Sequence, residues 1–259
     1  MNYDFSSGGI ALAIAMPVFN ERDGIVDTLL ELDQVFSDHH LHVGLFLQDD
    51  QSTDDTFNTI HSTSVRLTMQ VEVRSNVQNL GHGPTTFAAY HRAVASGAPV
   101  IMQLDSDGQF FVPELIQLYE SIVDGADIAI GVRVDRVDPW FRKSITSLLK
   151  IYLALRYRGS FTDPNTPIRA YSAPCLERML SQVPEQPLVP NIYLTIIAAK
   201  LKLRTDVFQV SHRPRRGLEP TGTMWKSSST IKSVSRLFKF AVRAFVQLWK
   251  FKPKNNLCG

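Results

Sequence analysis

The sequence predicts an α/β protein, with a Rossmann-like three-layer α/β/α core built on a mostly parallel sheet and a C-terminal amphipathic helix after it. Three observations lead there. Apolar, strand-like runs alternate with helical periodicity as far as residue 133. Each acidic cluster in that stretch falls at the end of an apolar run, where open parallel sheets present their ligands. From Thr221 to the end there is no Asp or Glu, while Lys226, Lys232, Arg236, Lys239, Arg243, Lys250, Lys252 and Lys254 are basic.

The first strand-like run, Gly9 to Ala15, stops at Met16-Pro17-Val18-Phe19-Asn20-Glu21, where proline is expected to turn the chain out of the sheet. Ile25, Leu29, Leu32 and Phe36 then recur at helical spacing. A second strand, Val43 to Leu47, runs into Gln48-Asp49-Asp50-Gln51-Ser52-Thr53-Asp54-Asp55. Ser52 or Thr53 is a candidate helix cap, with Asp54 and Asp55 favourable in the first turn. That account leaves Asp49 and Asp50 unexplained. Val71 to Val73 reads as a third strand, and Asn79-Leu80-Gly81-His82-Gly83-Pro84 as a tight turn whose amides could face a phosphate.

The central run, Pro99 to Leu104, delivers Asp105-Ser106-Asp107-Gly108-Gln109 and then a helix from Pro113 to Val123. Two carboxylates one residue apart on an extended chain point the same way and repel unless a cation or donor lies between them. A hard divalent ion carrying a diphosphate fits, because magnesium is usually held by one or two carboxylates plus phosphate oxygens and water. A further strand, Asp127 to Arg133, completes the alternation.

Beyond it, Trp140 to Tyr157 reads as a long helix bearing Arg142, Lys143, Lys150 and Arg156. A turn-rich piece from Thr162 to Pro167, a strand Ile168 to Tyr171, a helix from about Asn191 to Leu201 and a strand Asp206 to Val210 follow. Ser211-His212-Arg213-Pro214-Arg215-Arg216-Gly217 concentrates positive charge in an irregular segment and is a candidate anion clamp. In the tail, Ile231, Val234, Phe238, Ala241, Phe245, Leu248 and Trp249 form one stripe, with Lys232, Arg236, Lys239, Arg243 and Lys250 opposite. Such a helix lies in a lipid interface or packs on protein. Residues 1–222 are expected to form the α/β domain and 223–259 the basic helix and tail.

The chain of 259 residues is 20% charged and 44% hydrophobic, as expected of a globular protein able to bury a large core. Its two cysteines, Cys175 and Cys258, have no metal spacing and point to a reducing compartment. No signal peptide or membrane span is legible. The expected location is cytoplasmic, peripheral at the inner face of a membrane.

Together these motifs resemble the family 2 glycosyltransferases of GT-A fold, most closely the dolichol-phosphate mannose synthase and polyprenyl-phosphate glycosyltransferase group. The resemblance rests on Pro17-Val18-Phe19-Asn20-Glu21, on Asp49-Asp50-Gln51-Ser52-Thr53-Asp54 with Gln51 where glycine is usual, on Asn79 to Gly83, and on Asp105 to Gln109. Gly131-Val132-Arg133, Asp163 and Arg169 also have counterparts.

It implies that Pro17, Phe19, Glu21 and one of Asp49 or Asp50 hold base and ribose, with Gly81 in the glycine turn. Asp105 and Asp107, with Gln109, would hold Mg2+ or Mn2+ on the diphosphate of a UDP- or GDP-linked sugar, and Arg215 or Arg216 would clamp the leaving diphosphate. Arg133, Arg142, Lys143 and Arg169 suit an anionic acceptor. With the tail over residues 231–252 expected on a membrane surface, they favour a polyprenyl phosphate. The expected activity is inverting hexosyl transfer. A hydroxyl acceptor with Asp163 as base, a sugar nucleotidyltransferase and a non-catalytic scaffold are the alternatives. A homo-oligomer stays open, and nucleic acid is not expected as a partner.

Overall fold

A computed structural model describes residues 9–134, 140–157, 163–217 and 230–254. The chain runs β1 (Leu12–Val18), α1 (Arg22–Asp38), β2 (Val43–Asp49), α2 (Thr56–Ser64), β3 (Gln70–Ser75), α3 (His82–Ala95), β4 (Val100–Gln103), α4 (Ile116–Val123), β5 (Ile128–Arg133), α5 (Trp140–Tyr157), β6 (Arg169–Ser172), α6 (Ala173–Leu180), α7 (Pro190–Leu201), β7 (Thr205–Val210) and α8 (Thr230–Lys250). A single 3-10 turn, Val112–Leu115, leads into α4. The boundary placed at residue 222 lies outside the described residues.

The seven strands stand in the order β3-β2-β1-β4-β6-β5-β7. All neighbours are parallel except β6, which runs antiparallel to both β4 and β5. β1 and β2 are buried along their whole length, as strands covered on both faces must be. One apolar layer packs α1, α2 and α4 on one face, and a second packs α3, α5, α6, α7 and α8 on the other. The mostly parallel three-layer expectation therefore holds.

Two local expectations change. Pro17 does not end β1, which continues to Val18 and keeps register with β2. The Ala15 carbonyl accepts from Leu104 N–H, so the odd-numbered backbone groups of β1 face β4. Pro17 shares that side but lies past the last β1–β4 pair, Ala15 with Gln103, so its missing N–H costs no ladder bond. Likewise, α2 starts at Thr56, later than a Ser52 or Thr53 cap requires, and Asp54 takes the Thr56 N–H at 3.0 Å. The sequence reading contains no counterpart to α6, whose apolar side is only Cys175, Leu176, Met179 and Leu180.

Candidate active site

The carboxyl end of β4 carries the acidic pair to the rim of the sheet. Gln103, fully buried, donates from Nε2 to Asp105 Oδ1 at 3.1 Å, and His82 Nε2 stands 3.6 Å from the same oxygen. Asp107 accepts from the backbone N–H of Gln109 at 3.2 Å. Between them Gly108 has φ of +65°, and a Cβ there would lie 2.7 Å from Thr28 Oγ1 and 2.9 Å from Arg216 Cδ. Only glycine fits this turn.

Burial, reinforced by the charge of Asp105, pushes the Asp107 carboxyl up to about 6. Glu21, at the start of α1, is raised to about 7 by burial, against the lowering effect of Arg215, with Asp107 and Asp105 adding to the rise. Three acids thus share one field. Among the described residues no three His, Cys, Asp or Glu side chains gather as a preformed metal cage. The residues present nonetheless fit a hard divalent ion: two carboxylates one residue apart, the charge of Asp105 disfavouring ionisation of Asp107, which a divalent cation would relieve.

A strap from Ser211 to Gly217 closes over this rim. Glu114 fixes its start, accepting the Ser211 N–H and Oγ–H at 2.7 Å each. Arg213 Nε donates to the Gly108 carbonyl at 2.6 Å while its guanidinium pairs with Glu31 and lies 5.1 Å from the Phe111 ring centre. Arg216 N–H donates to the Asp107 carbonyl at 3.0 Å, and its side chain joins Arg213 on Glu31, whose carboxyl is held below its ordinary value by the two arginines in spite of partial burial. Arg215 pairs with Glu21. The strap sits so close to α1 that a Cβ on Gly24 would lie 2.8 Å from the Arg216 backbone.

On the other side of β1 the first two strand ends are locked together. Phe19 follows β1, half-buried; Asn20, at φ of +53°, takes Thr53 N–H on its side-chain oxygen at 2.8 Å, and its own N–H goes to Ser52 Oγ at 2.9 Å. Asp49 accepts from Ser52 and from Ser75 Oγ. Asp50 accepts from Asn76 Nδ2 at 2.8 Å, Leu80 N–H at 2.7 Å and Gly81 N–H at 2.8 Å. Two of the amides expected to face a phosphate in the glycine turn, those of Leu80 and Gly81, are therefore spent on Asp50. Gly81 contributes a φ of +88° instead, which aims the chain into α3. Gln51, where glycine is usual, has φ of +59°, the region that favours glycine.

At the far end, Arg133 Nε and Nη2 reach Asp163 Oδ2 at 3.2 and 2.9 Å, both side chains mostly buried. Arg133 also exerts a lowering pull on the Asp107 carboxyl, so this pair shares the field of the metal motif.

Arg169, expected on the acceptor, has no surface to offer one: it is 1% exposed. Its guanidinium donates to the carbonyls of Thr166, Pro164 and Asn191, to Thr195 Oγ1 and to Tyr171 Oη. It holds the loop carrying Asp163 by its backbone, and touches nothing at the rim. The reason is its place at the start of β6, an interior strand.

Several contributors have no place in the sequence reading. Asn191 at the start of α7 donates to Gln103 Oε1 at 2.9 Å and to the Thr166 carbonyl at 3.1 Å, linking the loop of Asp163 to the residue that orients Asp105. Gln103 carries a legible signal, a lone amide inside an apolar central strand. Glu31 carries none, because on sequence alone it belongs to the solvent face of α1. The side chains of Arg142 and Lys143 lie outside what the structure describes.

Similarity to known proteins agrees with this geometry. The sequence matches the Glycosyl transferase family 2 profile over residues 13–181. It is 24% identical over 204 residues to an undecaprenyl-phosphate 4-deoxy-4-formamido-L-arabinose transferase of Edwardsiella ictaluri (strain 93-146), covering 79% of this chain and 60% of that one. A polyprenol monophosphomannose synthase of Mycolicibacterium smegmatis is 27% identical over 173 residues, 64% of this chain and 63% of that one. This chain thus spans about three fifths of the curated relatives it matches. A glucosyl-3-phosphoglycerate synthase from Mycobacterium tuberculosis, solved with Mn2+, UDP-glucose and phosphoglyceric acid, superposes at a TM-score of 0.63 with 18% identity, covering 93% of this chain and 79% of that one. At that identity the superposition bears on the fold, which is GT-A. With its profile match running from β1 through α6, the chain belongs to glycosyl transferase family 2.

Proposed function

We propose that this protein transfers a hexose, with inversion, from a UDP- or GDP-linked sugar to a polyprenyl phosphate, acting from the cytoplasmic face of a membrane. The observation that carries the reading is the field at the rim: the Asp105 charge pushes the buried Asp107 carboxyl up while Arg215 and Arg133 pull it down, with the Arg216 N–H on the Asp107 carbonyl. A site of two repelling carboxylates ringed by arginines is built for a divalent cation and a polyanion together. Relatives named as undecaprenyl-phosphate and polyprenol-phosphate sugar transferases support the acceptor class. Residues 1–222 form the catalytic unit in this reading, and 223–259 its basic amphipathic tail.

Asp105 and Asp107, with Gln109 beside them, would hold Mg2+ or Mn2+, which supplies Lewis-acid stabilisation of the leaving diphosphate. Arg215 exchanges Glu21 for the departing phosphate charge, and Arg213 and Arg216 keep the strap closed through Glu31. Pro17, Phe19 and one of Asp49 or Asp50, both already hydrogen-bonded at the strand end, line the side where base and ribose bind. Arg133 orients the acceptor phosphate, with Asp163 fixing its guanidinium. A phosphate oxygen attacks C1 of the sugar as the C1–O bond to the diphosphate breaks. Because the acceptor is already anionic, no general base is required.

Turnover with a short-chain, water-soluble prenyl phosphate across a panel of UDP- and GDP-sugars tests the reading. Asp107→Asn, which keeps the shape of the side chain, should lower turnover by about a hundredfold or more. Activity on no prenyl phosphate, or full activity in that variant, would sink it.

A further inference from the structure

The face of α8 that remains open is only part of the stripe its sequence suggests, for Leu248 of that stripe is buried and Val242 joins the open side. Ala244 and Leu248, with Phe251 just beyond the helix, are buried in the layer beneath α7, where Phe251 meets the Tyr193 ring at 4.8 Å and Gln247 accepts from the Leu188 N–H at 3.1 Å. Phe238, Val242, Phe245 and Trp249, spaced to fall on one side of the helix, stay 44 to 65% exposed. Arg236, Lys239, Arg243 and Lys250 follow on the next arc, all exposed. The helix therefore has three stripes: one packed, one apolar and open, one basic.

A second helix carries the same open character. On α5, Leu148, Ile151 and Leu155 fall on one side and are 57 to 79% exposed. An aromatic cluster joins the two faces. The Tyr152 ring stands 4.9 Å from Phe245 and 6.1 Å from Trp249, and Arg156 lies over Trp249 at 5.3 Å while donating to its carbonyl at 3.1 Å. Soluble surfaces rarely leave so many large apolar side chains contiguous.

We infer that α5 and α8 together form a docking platform for an anionic lipid surface. Charge decides the occupant. Neither helix contains an acidic residue, so a second copy meeting this face would set like charges against each other, whereas an anionic bilayer would neutralise them. The apolar stripes enter the headgroup boundary and the basic arc lies along it. The placement also suits the reaction. Within the chain α5 lies between Arg133 and Asp163, the two partners of the pair at the acceptor end, so the helix seated in lipid is tethered at both ends to the groups that receive the lipid-linked phosphate. That last link rests on the proposed acceptor; the docking itself does not.

Co-sedimentation of the full chain with phosphatidylcholine vesicles, with and without phosphatidylglycerol, tests the platform. Leu148→Glu with Leu155→Glu, on α5 alone, should weaken binding to the anionic vesicles by about tenfold or more. Phe238→Glu with Val242→Glu, on α8 alone, should do the same, while Val65→Glu, 79% exposed at the end of α2 on the other side of the sheet, should not. Wild-type affinity in the α5 variant would overturn the two-helix platform, as would equal binding to vesicles lacking phosphatidylglycerol. So would a lipid-free dimer that these substitutions dissociate while vesicle binding persists. Turnover of the short-chain prenyl phosphate separates the two ideas: its absence beside intact, variant-sensitive vesicle binding removes the acceptor assignment and leaves the platform.

Discussion

Arg169 shows how residue type and position can mislead about role. An arginine near a suspected phosphate site invites a binding assignment, yet this one is enclosed, and among the described residues its bonds go to neutral oxygens. Arg169→Met should cost about 3 kcal/mol or more in chemical denaturation, because three carbonyls lose a buried charged donor at once. The acidic rim makes a second prediction. Asp107 rises from an ordinary 3.8 to about 6, and Glu21 from 4.5 to about 7. A carboxyl whose folded pKa exceeds its unfolded value favours folding only while protonated. Its contribution is complete below the unfolded value and is lost as pH climbs through the folded one. The ligand-free protein should therefore lose melting temperature between about pH 4 and pH 7 from these two groups, and Asp107→Asn should flatten that fall. In the proposed site manganese with a nucleoside diphosphate requires Asp107 ionised, so its stabilising shift should grow over the same window, as read by calorimetry.

Among elements, the strap from Ser211 to Gly217 divides its labour between two acids of α1. Glu31 takes both Arg213 and Arg216 and so fixes where the strap lies; Glu21 takes Arg215, whose guanidinium also pulls the Asp107 carboxyl down. Arg215→Ala should cut kcat by about a hundredfold through lost charge stabilisation of the leaving group. Glu31→Gln should act mainly on donor KM, by about tenfold or less, since it loosens the strap without removing its arginines. Steady-state kinetics with the nucleotide sugar varied separates the two, and equal effects on kcat would refute the division. The strands, the acidic pair and the basic run were legible in the sequence, because apolar runs and breakers are local signals, although Pro17 misplaced the end of β1. Glu31 and Asn191 were not, because each acquires meaning from partners far along the chain, nor was the burial of Arg169, which follows from the place of β6 between β4 and β5.

For the whole molecule, the tail raises the question of what α8 belongs to. Its apolar arc is wider than one interface needs, and the sequence periodicity averages two stripes into one: Leu248 faces the core while Trp249 faces out. A single sequence cannot divide that arc, since burial on one side depends on where α7 has already placed Tyr193 and Leu188. Deleting the chain from Thr230 would therefore strip a cover from the apolar layer as well as remove a docking face, and lost vesicle binding in such a truncation could reflect unfolding. Point substitutions separate the two. Leu248→Ala, at 1% exposure, should lower stability by about 2 to 4 kcal/mol through lost burial and the cavity left behind. Val242→Glu, nearly half exposed, should change stability by about 0.5 kcal/mol or less. Thermal melts of the two full-length variants check this directly; a large loss from Val242→Glu would mean that the open stripe is itself covered by protein, and the division of α8 into packed and free faces would fail.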